Sequence, residues 1–521
     1  MYIVGGSDNG VLYGVYDFLK VNFGYEQYYK DCFDIDTGVT DLPLKNYNIT
    51  DIPDISMRAR AGVLFNTTEE TDDVMYAYRM RMLDDHNNVY LPIYESLDNT
   101  SPSSRLHNSF YYLPQSQYKA AHPKFYSDDG TQLCYTAHGD AAELETMINL
   151  CAEKAEFSLK DYPADRFFNM NTIHLGINDV RSFCDCSYCQ AEAKAHNNSN
   201  AAVVIKFLNR MGAKVVEWMN KAENTAYKRD IEFSFFVYQV TSIPPFTINA
   251  DGTINVADDL KSPAGVKIRP YTAFSEINYS AATTDEVNRE EMDKIEAWSK
   301  YVKDGWSWTY GCFFNEYFCF YDSYSFYADY YKKLYECGYR YTFAQFHSEQ
   351  RGAETGFYSL QDYLNSELTW NSSLDRNEII DNYFDNMYGV AAKEMKSFYN
   401  QCKTWFKNVS AAEGWDGYSI NARMTKDWFD YSTIKGFFDT LDKAYAEIEV
   451  YKTTDEVKYN KIKSHIDAEW LFPARVVLGF YKEEFAADYT EMKTKFTTLC
   501  NSFKMVKIGE SDSLADFLNS L

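Results

Sequence analysis

No run of about 18 consecutive apolar residues occurs in the 521-residue sequence, so no membrane-spanning helix is expected. Basic residues are in deficit: 51 Lys and Arg stand against 76 Asp and Glu, a formal net charge of -25. Nucleic-acid phosphates call for basic surface, so this balance argues against that partner. No Gly-rich phosphate loop, Ser-His-Asp order or nucleotide fingerprint stands out. Histidine is scarce, with eight residues, and no paired-His motif lies beside the clustered cysteines, which argues against a catalytic zinc. Of eleven cysteines only Cys184, Cys186 and Cys189 cluster, which is not the disulfide framework of a small secreted module. Internal repeats and low-complexity segments are missing as well. Met1 is followed at once by the strand-like Tyr-Ile-Val, so the chain is expected to begin inside a domain, with any signal peptide lying outside it.

Aromatic residues are abundant. They make up 17% of the chain, with 45 Tyr and 36 Phe, against 45% hydrophobic and 24% charged residues overall. The bulk figures describe a globular protein. Tyr and Trp pair a flat apolar face with a polar handle, a combination that sugar rings exploit.

One stretch organises the rest. Phe168 to Leu175 is apolar and β-branched and too short for a helix, so it reads as a buried strand. Gly176 breaks the pattern, and Asn178 and Asp179 follow at the strand's C-terminal end, where a parallel α/β barrel assembles its active site. Cys184, Cys186 and Cys189 come next as C-x-C-x-x-C, and Ala201 to Trp218 then has helical spacing.

Strands are also expected over Met57–Phe65, Asn88–Ile93, Ile231–Tyr238, Val266–Pro270 and Tyr339–Phe346, and Gly305–Tyr317 reads as a strand leading into a loop. Helices are expected between them, at Glu69–Leu83, Asp140–Phe157, Arg289–Lys303 and Tyr324–Cys337. This alternation predicts a parallel sheet closed as a (β/α)8 barrel of the TIM type. Strands stop near Leu374. The expected organisation is a small α/β domain over 1–52, the barrel over 53–374 and an all-helical domain over 375–521, packed beside the barrel.

The residues then show a resemblance. Gly10-Val-Leu-Tyr-Gly-Val-Tyr-Asp-Phe-Leu is similar to the helix start of the small α/β domain that precedes the barrel in family 20 hexosaminidases and family 67 α-glucuronidases. Three further features resemble the domain-of-unknown-function family 4838. They are His107 through His122-Pro123 to Gln132-Leu-Cys134, Asn178-Asp179 with its C-x-C-x-x-C, and Leu368-Thr-Trp370 with Asp375 and Tyr388-Gly389. Part of that family forms glycoside hydrolase family 163, endo-β-N-acetylglucosaminidases acting on complex N-glycans. The resemblance implies a glycosidase cleaving β-linked N-acetylhexosamine-containing glycans, with a glycan or glycoprotein as partner, at the cell surface or secreted. The chain departs from the family pattern at Phe343-Ala344-Gln345 and at Trp308-Thr309-Tyr310, where acidic residues are common. Those departures support the alternative, a non-catalytic carbohydrate-binding protein on a degenerate barrel.

Glycoside hydrolysis needs two carboxyl groups about the scissile bond, one protonated and one ionised. Asp179 is the first candidate. Glu316, in Phe314-Asn-Glu-Tyr317, is the second, since Asn-Glu after a barrel strand resembles the acid/base position of many retaining glycosidases. Glu349 and Glu354 are reserves. Asn178, His107, His122, Tyr238, Trp308, Tyr310 and Gln345 are candidate sugar-binding residues. Cys184, Cys186 and Cys189, with Cys134 as a fourth, offer a structural zinc site; a disulfide with a free thiol, or buried inert thiols, are the other readings. No cofactor is required for the expected catalysis.

Overall fold

The computed structural model describes residues 2–42, 47–60, 71–82, 89–97, 102–103, 106–167, 169–345, 354–415 and 418–521. The N-terminal unit is a helix, Asp8–Phe23, and a hairpin of β1 (Glu26–Tyr29) with β2 (Cys32–Asp34). Gly24 stops the helix at φ 63°, a left-handed conformation that glycine adopts without a Cβ clash.

The main sheet begins with β3 (Met57–Arg60). A small hairpin, β4 (Ile93–Tyr94) with β5 (Pro102–Ser103), precedes β6 (Thr172–His174) and β7 (Glu232–Val237). A second small hairpin, β8 (Thr247–Ile248) with β9 (Ile254–Asn255), separates these from β10 (Ile268–Ala273), β11 (Gly305–Tyr310) and β12 (Tyr339–Gln345). Six strands are hydrogen-bonded in the order β3-β12-β11-β10-β7-β6, all parallel. Beyond β6, Tyr90 adds a single parallel bridge to Thr172.

The sheet is strongly curled. Tyr90 lies beyond β6, yet its ring is 5.8 Å from that of Trp306 on β11, across the interior. Register sets Phe236, Tyr271, Trp306, Tyr341 and Met57 in one row around the inner face. Ala273, Trp308, Phe343 and Ala59 form the next row toward the C-terminal ends, two large rings flanked by alanines. These side chains form one buried inner cluster. At its base Arg269 pairs with Glu232 and lies 5.1 Å from the Trp306 ring.

Of the expected closed (β/α)8 barrel, the described residues form a curled parallel half-barrel. An eighth strand would lie between the seventh and the first, but β12 bonds directly to β3. The chain after β12 enters the helix Tyr358–Trp370, which supplies no further edge. Among the described residues no pairing joins the Tyr90 segment to β3. The expected strand over 57–65 is seen to Arg60, and the rest of it lies outside the described residues. The expected strand over 88–93 reduces to Tyr90 alone, followed by β4.

After residue 374 the described residues hold helices and one isolated bridge, Lys507 to Ser513. The long helices Ala392–Glu413, Tyr431–Ile448 and Glu456–Phe480 pack on one another. Glu469, buried in the last of these, accepts the Phe357 N–H at 3.2 and 3.0 Å and caps the start of the helix Tyr358–Trp370. Burial pushes its carboxyl up to about 8, against the pull of the amides it accepts.

Candidate active site

The exit of β6 is held by the segment that crosses it. Asn108 Nδ2 donates to the His174 carbonyl at 3.0 Å, and Gly176 N donates to Asn108 Oδ1 at 2.9 Å. A Cβ at Gly176 would meet the Leu106 carbonyl oxygen at 1.6 Å, so only glycine lets the two backbones lie this close. Asn178 belongs to this framework. Its Nδ2 donates to the Thr131 carbonyl at 2.7 Å, its Oδ1 accepts from Ser109 Oγ at 2.9 Å, and its backbone exchanges two bonds with the Gln132 side chain. Both ends of the amide are occupied, so the expected sugar-orienting role is corrected to one of tying loop 127–134 to the strand exit.

Asp179, the next residue, is exposed. It lies beside Tyr238, the first residue past β7. Gln239 Nε2 donates to the same phenol oxygen at 2.7 Å. Burial, then the Asp179 carboxylate, raises the Tyr238 phenol well above its usual range. Tyr310, buried at the end of β11, is raised by burial and then by Tyr238, Asp179 and Glu510. Glu510 sits on the rim in the C-terminal segment, where its backbone N–H donates to the Phe314 carbonyl at 2.7 Å. Partial desolvation, and next the Asp179 carboxylate, raise the Glu510 carboxyl. Asp179 and Glu510 therefore both bear on Tyr310, from opposite parts of the chain, and Asp179 bears on Tyr238 as well.

Around these groups are most of the other expected residues. The His107 ring packs on Phe236 at 5.0 Å and on Tyr238 at 5.9 Å. Its Nδ1 meets the Ile177 carbonyl at 2.7 Å, so Nδ1 carries a proton. Trp308 Nε1 donates to Gln345 Oε1 at 3.0 Å, and its ring lies 4.4 Å from Phe343 and 6.2 Å from Tyr310. Asp179, His107, Tyr238, Trp308, Tyr310 and Gln345 thus meet at the C-terminal ends of the strands.

Other expected residues lie elsewhere. Glu316 is turned into the helical layer, where its Oε2 accepts from Arg475 Nη2 at 2.7 Å. It is buried, and burial pushes its carboxyl up to about 7 in spite of Arg475. Its expected pairing with Asp179 is corrected to this ion pair, because the helix Glu456–Phe480 covers the face on which Glu316 emerges. His122 stacks on Phe125 at 4.7 Å, with Nδ1 3.0 Å from Glu143, at the start of the helix Ala141–Asp161. Glu354 bonds Tyr29 and Lys30 of the N-terminal hairpin. Glu349 lies outside the described residues. Ala344 and Thr309 alternate with the inward-facing Phe343 and Trp308, so both point into the helical layer.

Three residues of the mouth escaped the reading by strand ends. Arg181 pairs with Glu276 at 3.3 Å across the exits of β6 and β10, and burial outweighs Arg181 in raising the Glu276 carboxyl. Glu510 is the third. A fourth signal is backbone strain: Gln239 has φ 44°, in the left-handed region that disfavours a side chain. Among the described residues no donor reaches its buried Oε1.

All eleven cysteines are free thiols, and four of them converge beside this loop. The sulfurs of Cys134, Cys184, Cys186 and Cys189 all lie within 4.8 Å of one another. Cys134 Sγ is 3.7 Å from Cys186 Sγ and 3.8 Å from Cys189 Sγ.

No curated protein matches the chain. Solved structures do. One described as CpGH84B is 14% identical, with a TM-score of 0.39, over 99% of this chain and 83% of that one. Another, described as a GH138 enzyme targeting pectin rhamnogalacturonan II, is 9% identical, with a TM-score of 0.34, over 96% of this chain and 81% of that one. The family model of DUF4838, a domain of unknown function, matches residues 39–400, well over half of the sequence, and the chain belongs to that family.

Proposed function

We propose that the protein is a glycoside hydrolase acting on β-linked N-acetylhexosamine-containing glycans, in the manner of an endo-β-N-acetylglucosaminidase. The observation that carries the reading is the pair of carboxyls, Asp179 and Glu510, that bear on each other and on Tyr310 at the strand ends, with Tyr238 beside Asp179. Glycosidic cleavage needs two carboxyl groups in unlike environments. Glu510, raised by partial desolvation and by its neighbour's charge, is assigned as the proton donor to the leaving oxygen. Asp179, exposed beside the Tyr238 hydroxyl, is assigned as the base or nucleophile. Trp308 and His107 supply flat faces for the sugar ring, and Gln239 Oε1 offers a buried acceptor to a sugar hydroxyl. The two carboxyls suffice for this chemistry, so no cofactor is assigned to it. A division into units over 1–52, 53–374 and 375–521, and a secreted or cell-surface location, go with this reading. No described helix is long and apolar enough to cross a membrane.

A binding protein without catalysis is the second reading, favoured by Glu316, a strand-end carboxyl already taken up by Arg475. A panel of complex N-glycans and aryl hexosaminides separates the two. Under the hydrolase reading the wild type releases sugar, and Asp179→Asn and Glu510→Gln each lower kcat by about a hundred- to ten-thousand-fold, with smaller changes in affinity. Binding with no turnover on the whole panel would favour the second reading, and near-normal turnover by Asp179→Asn would remove that residue from the mechanism.

A further inference from the structure

The four-cysteine cluster is not used by the proposed reaction. Four sulfurs bound tetrahedrally to one zinc at about 2.3 Å stand about 3.8 Å apart. The separations of 3.7 and 3.8 Å from Cys134 match that edge before any ion is considered. Cys134, Cys184 and Cys189 are buried and Cys186 half-buried, so the cluster is shielded from bulk water.

The backbone around it is shaped for thiolate sulfur. Ala137 and His138 have φ of 46° and 51°, two consecutive residues in the left-handed region, which aims the His138 N–H at Cys134 Sγ at 3.2 Å. On the other side the Cys189 N–H donates to Cys186 Sγ at 3.4 Å. Thr136 Oγ1 lies 3.1 Å from Cys189 Sγ and 3.4 Å from Cys134 Sγ, placed to donate as well. Strained backbone persists where the surroundings over-determine it. Donors converging on four clustered sulfurs are the surroundings that a metal–thiolate centre needs.

We propose that Cys134, Cys184, Cys186 and Cys189 bind one structural zinc ion. On loading, Zn²⁺ takes the place of four thiol protons, which pass to solvent, and the product is a closed Zn(S-Cys)4 centre with net charge -2. No position is left open for water, so the ion is structural and not catalytic. It joins the turn at residues 134–139 to the loop leaving β6, two segments about 50 residues apart, just past Asp179. Tetrahedral sulfur also suits iron, so the test distinguishes the two metals.

The experiment is metal analysis of the full chain purified without chelator under reducing conditions. About one zinc per chain is expected, released when a mercurial reagent blocks the thiols. Cys186→Ser should drop the zinc content to about a tenth or less and lower Tm, while Cys151→Ser, a buried cysteine outside the cluster, should keep it. Should Cys186→Ser fail to fold, wild type produced with cobalt serves instead: thiolate-to-cobalt charge transfer with the visible bands of tetrahedral cobalt is expected. Stoichiometric iron, a chain that is metal-free yet equally stable, or a disulfide mapped between any two of the four would each overturn the proposal.

Discussion

Two strand exits carry carboxylates, and the protein treats them in opposite ways. Asp179, beyond β6, stands exposed beside a tyrosine hydroxyl, with the carboxyl of a distant segment nearby. Glu316, beyond β11, is buried against Arg475 of a helix that covers it. In both, a short polar pair follows the strand: Asn178-Asp179 in one, Asn315-Glu316 in the other. The difference comes from what the C-terminal helices cover. A carboxylate after a strand is available for chemistry only where the rim above it stays open.

The comparison is broken most directly by matched amide substitutions. Asp179→Asn should lower kcat by about a hundred- to ten-thousand-fold and leave Tm almost unchanged. Glu316→Gln should do the reverse. It leaves the buried Arg475 without a counter-charge, a change that costs about 3–5 kcal/mol in comparable pairs. Urea unfolding beside steady-state kinetics reads both, and a stable but inactive Glu316→Gln would return Glu316 to the mechanism.

A smaller effect sharpens the contrast through pH. Glu469 has a folded-state value pushed up to about 8, above the usual glutamate value of 4.5. Between 4.5 and that value the folded protein binds more protons than the unfolded chain, so stability falls as pH rises through that window. At roughly 1.4 kcal/mol per unit the loss is on the order of a few kcal/mol. Glu469→Gln, which keeps an acceptor for the Phe357 N–H, should flatten the fall in Tm between about pH 5 and pH 8. An unchanged slope would show that Glu469 is not its source.

The smallest expected effect is at His122. Its pairing with Glu143 lies near the surface, so His122→Ala should cost about 1 kcal/mol or less and leave kcat within about twofold. A larger loss of activity would bring the outer loop back into the site.

The strands and the late helices were legible in the sequence because apolar runs and helical spacing are local. The strand expected to begin at Gly305 is found there as β11, and Gly338, at φ 88°, follows the helix before β12. The edges of the sheet were not legible, since the β12–β3 pairing is a contact between distant segments. Strand-end reasoning gathered Asp179, Tyr238, Trp308, Tyr310 and Gln345, because alternation and strand direction decide where those residues emerge. It also put Asn178 and Glu316 in the site, although the Asn178 amide is consumed by loop 127–134 and Glu316 pairs with Arg475, because no local signal records either contact. Glu510 had no signal at all: it comes from a loop more than 300 residues downstream of Asp179 and is positioned by the backbone of Phe314.

The direct pairing of β12 with β3 also bears on the order of folding. Ala59 sits opposite Phe343, so this edge closes a loop of about 280 residues. The closure entropy must be met before the contact returns anything, and pairings this distant in sequence slow folding. During synthesis β6, β7, β10 and β11 are available to pair in turn, but β3 waits, with its inner face uncovered, until residue 345 has emerged.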